Sequence, residues 1–203
     1  MKTILIHGLG QDFSIWNNMI ENQENIICPN LPDFLKGKEA NWNNLYNSFE
    51  NYCKSIPDKI NICGLSLGGI LALQYGIENP DKINSMILIG TQYTMPKMLL
   101  KIQNVIFRFM PEIQFKETGF SKNDFIKLSE SMMNLDFSEN LKNIKFPVLV
   151  VCGEKDKPNM KASLNISKMI PDAELSIVKN SGHEVNRDNP EELKNILKNF
   201  LML

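Results

Sequence analysis

The stretch Asn61-Ile62-Cys63-Gly64-Leu65-Ser66-Leu67-Gly68-Gly69-Ile70 decides how the rest of the chain is read. A short apolar run enters it, Gly-x-Ser-x-Gly turns it, and an apolar helical pattern leaves it. The five letters alone are a weak signal. Their strand–turn–helix setting is what a nucleophile elbow requires, with a serine held on a sharp turn and its hydroxyl raised above a sheet. Gly64 and Gly68 leave room where side chains would crowd the bend. A glycine-rich turn with a bystander serine would read the same way, so the decision rests on what the other strand ends carry.

Working back towards the amino terminus, Thr3-Ile4-Leu5-Ile6-His7 is a brief apolar run stopped by Gly8-Leu9-Gly10. It is too short for a helix and reads as a strand buried on both faces. A helix is expected from about Phe13 to Asn22 and a second strand over Asn25–Cys28. The two prolines of Pro29-Asn30-Leu31-Pro32-Asp33 then enforce a loop. Trp42, Leu45, Tyr46, Phe49 and Cys53 fall at helical spacing between Asn41 and Ser55.

Forward from the elbow, a helix runs to about Asn79 and is stopped by Pro80, and a strand follows over Ile83–Gly90. The alternation then breaks between Thr91 and Lys145, where two helical patterns replace it. Met98, Ile102, Val105, Ile106 and Phe109 share one face, and Phe125, Leu128, Met132 and Leu135 share another behind a capping pair, Ser121 and Asp124. Of Met95, Met98, Met110, Met132, Met133, Phe107, Phe109, Phe115 and Phe120 in this segment, most are expected to pack it onto the sheet. Phe146–Cys152 resumes the sheet with its proline at the strand start, where no ladder bond is lost. A helix (Asn159–Ile170), a strand (Glu174–Val178), the loop Lys179–Glu184 and a helix opened by Asn189-Pro190 complete the chain.

Six strand candidates alternating with helices predict a mostly parallel sheet with helices on both faces. At 203 residues the chain is sized for a single domain, residues 1–203, with about 91–145 as a helical insertion. The net charge of −1 and the scattered lysines exclude the clustered basic footprint of a nucleic-acid binder. Cys28, Cys53, Cys63 and Cys152 sit in apolar segments without CxxC spacing, which predicts buried thiols and no metal site. The chain shows no leader-like start and no apolar run of about 18 residues, so a soluble cytoplasmic protein without a membrane partner is expected.

In open parallel sheets ligands bind beyond the carboxyl ends of the strands. His7-Gly8-Leu9-Gly10, Ser66, Asp156 and His183 all fall at such ends. A serine hydroxyl needs an imidazole to take its proton, and the imidazole needs a carboxylate to hold its tautomer. The order Ser66, Asp156, His183 supplies all three, and only two histidines compete for the role of base.

On these residues the chain resembles an α/β-hydrolase. The resemblance is carried by His7-Gly8, Gly64-Leu65-Ser66-Leu67-Gly68-Gly69, Gly153-Glu154-Lys155-Asp156 and Gly182-His183, and spans nearly the full length outside Thr91–Lys145. It implies a six-stranded sheet in the order 4-3-5-6-7-8 of the family's labels, without the amino-terminal β-hairpin that family members usually carry. It further implies Ser66 as nucleophile, His183 as base and then acid, Asp156 as orienting acid, and the amides of Leu9 and Leu67 as oxyanion donors. Glu154 stands two residues from Asp156 and is expected to face solvent or cap a helix. His7, with Gly8, Gly64 and Gly68, is expected to brace loops, its ring bonding backbone near Gly10. The family's Asp-x-x-Gly-x-Gly is reduced here to Pro32-Asp33-Phe34-Leu35-Lys36-Gly37, so specificity does not carry over at that loop.

Residues 91–145 correspond to a lid, a few of whose Met and Phe residues would line an acyl pocket, with Lys97, Lys101 and Arg108 as a solvated helix face or as contacts to an anionic substrate. The implied activity is hydrolysis of carboxylic esters or thioesters on a small acyl substrate, with no cofactor and with a monomer or small homo-oligomer. Lyases, C–C hydrolases and acyltransferases share the same residues. A non-catalytic binding protein on this scaffold is the reading from another class.

Overall fold

Strand residues here are apolar in both phases of the period-two alternation, so the sheet is buried on both sides. In the computed structural model, which describes residues 1–19, 24–116 and 118–201, six strands form one sheet. They are β1 (Lys2–Ile6), β2 (Ile26–Ile27), β3 (Ile60–Leu65), β4 (Ile83–Ile89), β5 (Val148–Gly153) and β6 (Glu174–Val178). The order is β2-β1-β3-β4-β5-β6 and every pairing is parallel. This is the order expected from the resemblance.

The two faces are covered by different helices. Ile4, Ile6, Ile60, Ile62, Met86 and Leu88 point to one side, against α1 (Trp42–Lys54), α2 (Leu67–Glu78) and α6 (Lys157–Met169). Leu5, Cys63, Leu65, Ile87 and Ile89 point to the other, against Trp16, α7 (Val185–Asp188) and α8 (Pro190–Leu201). Asn189 caps α8, accepting from the Glu192 N–H, and Pro190 opens the helix where no donor is needed.

Several boundaries differ from expectation. Phe13–Met19 is a 3-10 helix, because Ser14, Asn17 and Asn18 favour local side-chain bonds over α-helix and Asp12 already holds the Ser14 N–H. The rest of that expected helix, Ile20 to Asn22, lies outside the described residues. Leu31–Leu35, expected as loop, is a 3-10 turn with Pro32 in its first turn. Helix α6 starts two residues early, since Pro158 fits the first turn without an N–H. The four cysteines are free, and burial pushes the Cys28 thiol up to about 11.

Between β4 and β5 the chain makes a helical excursion of α3 (Lys97–Phe109), α4 (Ile113–Lys116) and α5 (Lys122–Met132). Ser121 and Asp124 form the expected capping box of α5. Phe107, Phe115 and Phe120 pack edge-on around Phe125, with ring centroids 4.8–5.9 Å from it. Phe125, Leu128 and Met132 are buried as expected, but the Met98-Ile102-Val105-Ile106-Phe109 face of α3 is not. Its residues are all more than half exposed, because α3 turns Leu100, Asn104 and Phe107 inward instead.

Two local features hold the carboxyl edge of the sheet together. Helix α2 lies so close to β3 and β1 that a Cβ on Gly64 would overlap the Gly68 carbonyl, and one on Gly68 would overlap the Ile6 carbonyl. His7 is fully buried, and its Nε2 accepts the Leu31 N–H at 3.0 Å. That bond places the proton on Nδ1, which donates to the Gly8 carbonyl at 2.8 Å. His7 thus bonds backbone within the loop after β1 and also ties that loop to Leu31. Burial holds its imidazole below the ordinary value.

Gly64→Ala should lower the stability read from urea unfolding by about 3 kcal/mol, the upper end for overpacking. Gly37→Ala, with a φ of 73° and nothing near its Cβ, should cost only about 1 kcal/mol of backbone strain. The depressed His7 value also sets a pH dependence. Below about pH 6.5 the unfolded chain binds a proton that the native imidazole refuses, so stability falls with pH from there to the folded pKa. Above that window the contribution is fully present. Denaturation of His7→Asn should lose this part of the pH dependence while remaining less stable at neutral pH.

Candidate active site

The strand ends bring the predicted residues to one place. Ser66 joins β3 to α2 with φ 55° and ψ −113°, a conformation an L-residue holds only when its surroundings impose it. Its N–H donates to the Ile89 carbonyl at 2.8 Å, and its carbonyl accepts from the Ile70 N–H at 3.1 Å. Both backbone groups are therefore pinned. Leu67 follows as the first residue of α2, where amides have no partner within the helix and the helix dipole is positive.

Asp156 follows β5 at the start of α6, and its side chain is only 2% exposed. A buried carboxylate needs its lone pairs satisfied. Oδ2 accepts from His183 Nδ1 at 2.8 Å, and Asn159 Nδ2 donates to Oδ1 and Oδ2 at 2.8 and 2.9 Å. Asn159 Nδ2 also lies 3.0 Å from His183 Nδ1. The proton that bonds Asp156 occupies Nδ1, so this approach is a packing contact and Nε2 keeps its lone pair. The His183 side chain is 40% exposed, and it faces the cavity that Ser66 also lines. Among the described residues no hydrogen bond joins Ser66 Oγ to His183, although both line one cavity.

That cavity has a volume of about 450 Å³ and is lined mostly by apolar side chains. Leu9, Leu67 and Ile70 form its floor from the sheet side, while Met95, Leu99, Ile106 and Met132 come from the helical excursion. Lys97, Lys101 and Arg108 do not line it. Lys97 reaches Asn134 Oδ1, and Arg108 lies 3.4 Å from Glu130. Glu154 is exposed and accepts the Asn180 N–H at 3.0 Å, so it caps a turn and no helix.

Four residues of the site escape a reading of the sequence. Asn159 stands three positions after Asp156 and looks like an ordinary residue of a helical first turn. Gln92 orients it, donating from Nε2 to Asn159 Oδ1 at 2.8 Å and to the Pro158 carbonyl at 3.2 Å. Gly90 ends β4 beside the imidazole, and a Cβ there would stand 3.0 Å from His183 Cε1 and Nδ1. Gln11 accepts the Gly8 N–H at 3.0 Å and donates to Glu184 Oε1 at 2.7 Å, joining the loop after β1 to the loop that carries His183. The one signal available was position, since Gly90 and Gln92 follow a strand end.

Comparison with known proteins places this arrangement. A family model described as alpha/beta hydrolase fold matches residues 4–143. A pimeloyl-[acyl-carrier protein] methyl ester esterase of Legionella pneumophila (strain Corby) is 28% identical over 147 residues, covering 68% of this chain and 58% of that protein. The chain thus matches less than two thirds of the length of that relative. A 2-hydroxy-6-oxononadienedioate/2-hydroxy-6-oxononatrienedioate hydrolase of Dechloromonas aromatica (strain RCB) is 22% identical across 98% of this chain and 86% of its own. Among solved structures, one reported with carboxylesterases of Nitrososphaera gargenis superposes with a TM-score of 0.83, at 19% identity over 99% of this chain and 89% of that one. That likeness is one of fold. With the family model spanning more than half of its length and an all-parallel sheet in the expected order, the chain belongs to the alpha/beta hydrolase fold family.

Proposed function

We propose that this protein is a serine hydrolase that cleaves carboxylic esters, or thioesters, through an acyl-enzyme on Ser66. The observation that carries the proposal is the bond of 2.8 Å from the half-exposed His183 to the buried Asp156, opening onto the cavity that Ser66 lines from a strained turn.

In this reading Ser66 Oγ attacks the carbonyl carbon while His183 Nε2 takes its proton. The resulting oxyanion is received by the amides of Leu67 and Leu9. Gly8 N–H is already bonded to Gln11, which leaves Leu9 as the donor next in that loop. Fixed donors aimed at the developing charge are worth more here than in water, about 3 kcal/mol each. Collapse of the intermediate expels the alcohol or thiol, protonated by His183, and leaves the acyl group on Ser66. Water, deprotonated by His183, then releases the acid. Asp156 holds the tautomer and stabilises the imidazolium throughout. The helical excursion acts as a lid whose apolar residues receive the acyl chain.

The relatives' names include an ester hydrolase and a hydrolase of dicarboxylate compounds. No Lys or Arg lines the cavity, which favours an uncharged acyl chain over a multiply anionic substrate. The C–C hydrolase and lyase readings are correspondingly weaker.

A fluorophosphonate probe should label the wild type at Ser66, read by peptide mass spectrometry, and leave Ser66→Ala unlabelled. Turnover of medium-chain p-nitrophenyl esters should fall by about 10⁴-fold or more in Ser66→Ala. An unlabelled wild type would overturn the serine mechanism and favour a binding protein.

The acid can be identified by kinetics of single variants. Asp156→Asn should lose about 10⁴-fold in kcat, while Glu154→Gln stays near wild type. Asn159→Ala, which removes a donor to both Asp156 oxygens, should lose less than Asp156→Asn. A reversed ranking of Asp156 and Glu154 would move the acid role.

A further inference from the structure

Helix α3 is turned inside out. Its buried residues include Asn104, whose amide oxygen and nitrogen are both enclosed without a hydrogen-bond partner. Met98, Val105 and Phe109, at positions i, i+7 and i+11, share another side, in the open. Phe109 is 85% and Met98 73% exposed, and Ile113 of α4 is exposed as well. A globular core would reverse this arrangement, because each large apolar side chain left in water forgoes about 1.5–3 kcal/mol of burial.

The two rims of the outward face differ. Along one run Lys97, Lys101 and Arg108, and none of the thirteen residues of α3 is acidic. Lys97 bonds Asn134 Oδ1 and lies near enough to Asp136 to help hold its carboxyl low, Arg108 shares Glu130 in an exposed pair, and Lys101 pairs with no acid among the described residues. Along the other rim Leu99, Ile102 and Ile106 turn into the cavity that holds Ser66 and His183. One apolar strip therefore has cations on one side and the mouth of the site on the other.

We propose that α3 docks on an anionic lipid surface, with Met98, Val105 and Phe109 in the acyl boundary and Lys97 and Lys101 at the headgroups. An outward apolar strip flanked by lysines is the composition of a helix lying in the interface plane. A second copy fits less well. Self-pairing would bring two cationic rims together with no acid on α3, and one face of a helix about 20 Å long falls short of the roughly 800 Å² per partner of a stable interface. Docked in this way, the cavity opens at the lipid boundary, and acyl substrates enter from it. This replaces the expectation of no membrane partner with surface attachment. Among the described residues no helix is long and apolar enough to span a bilayer. The proposal does not rest on the chemistry at Ser66.

Flotation of the full chain and of Ser66→Ala with vesicles of phosphatidylcholine, with or without phosphatidylglycerol, tests it. Both proteins should float with the anionic vesicles and be released by salt. Lys97→Gln/Lys101→Gln should weaken partition about fivefold per lysine. Met98→Ser/Phe109→Ser should weaken it about a hundredfold. Neither pair lines the cavity, so circular dichroism and turnover of a short soluble ester should match wild type. Absence of flotation, or flotation unchanged in Met98→Ser/Phe109→Ser, overturns the proposal. So does a dimer in sedimentation velocity that this variant dissociates, which would make a second copy the occupant.

Discussion

The close approach of α2 to the sheet is the constraint on which the rest depends. With no Cβ at Gly64 or Gly68, the helix starts directly against the carbonyls at the ends of β3 and β1. That contact forces the chain through the Ser66 conformation, and the bonds to Ile89 and Ile70 keep it there. The strain has a use: it raises one hydroxyl at the carboxyl edge and opens the first amides of α2 towards the same space. His7 secures the facing loop from below, so the two loops that border Ser66 are held by buried bonds and not by surface contacts.

Burial of Asp156 sets the second layer of the site. A carboxylate enclosed to this degree is tolerable only with its oxygens occupied, and His183 alone does not occupy them. Asn159 does, and Gln92 fixes which way the Asn159 amide points. The imidazole is therefore positioned through a chain of three side chains whose last member, Gln92, also borders the cavity. Glu154, two residues away, meets none of these conditions, because it lies in solvent and holds only a turn.

The helical excursion obeys a different logic from the sheet. Its interior is the cluster of phenylalanines around Phe125, which joins α3, α4 and α5 and merges with the core on that face of the sheet. Anchored through that cluster, α3 is free to present its most apolar side away from the protein. The orphaned amide of Asn104 and the exposed Phe109 are two ends of the same orientation.

The sequence by itself determined the sheet, the elbow and the order of the site residues. These follow from local rules: period-two burial, glycine where no Cβ fits, and strand ends that collect polar residues. It also located the apolar stripe of α3, because helical periodicity is a property of the chain. Which way that stripe faces is not, since rotation about a helix axis is settled only by what packs beneath it, here Phe107 on the Phe125 cluster. The same holds for Asn159, Gln92, Gly90 and Gln11. Their neighbours come from other strand ends, and only the closed sheet sets an amide of α6 against a carboxylate and an imidazole at hydrogen-bond distance. Glu154 and Asp156 stand two residues apart in one loop, and it is the fold that buries the second and leaves the first in water.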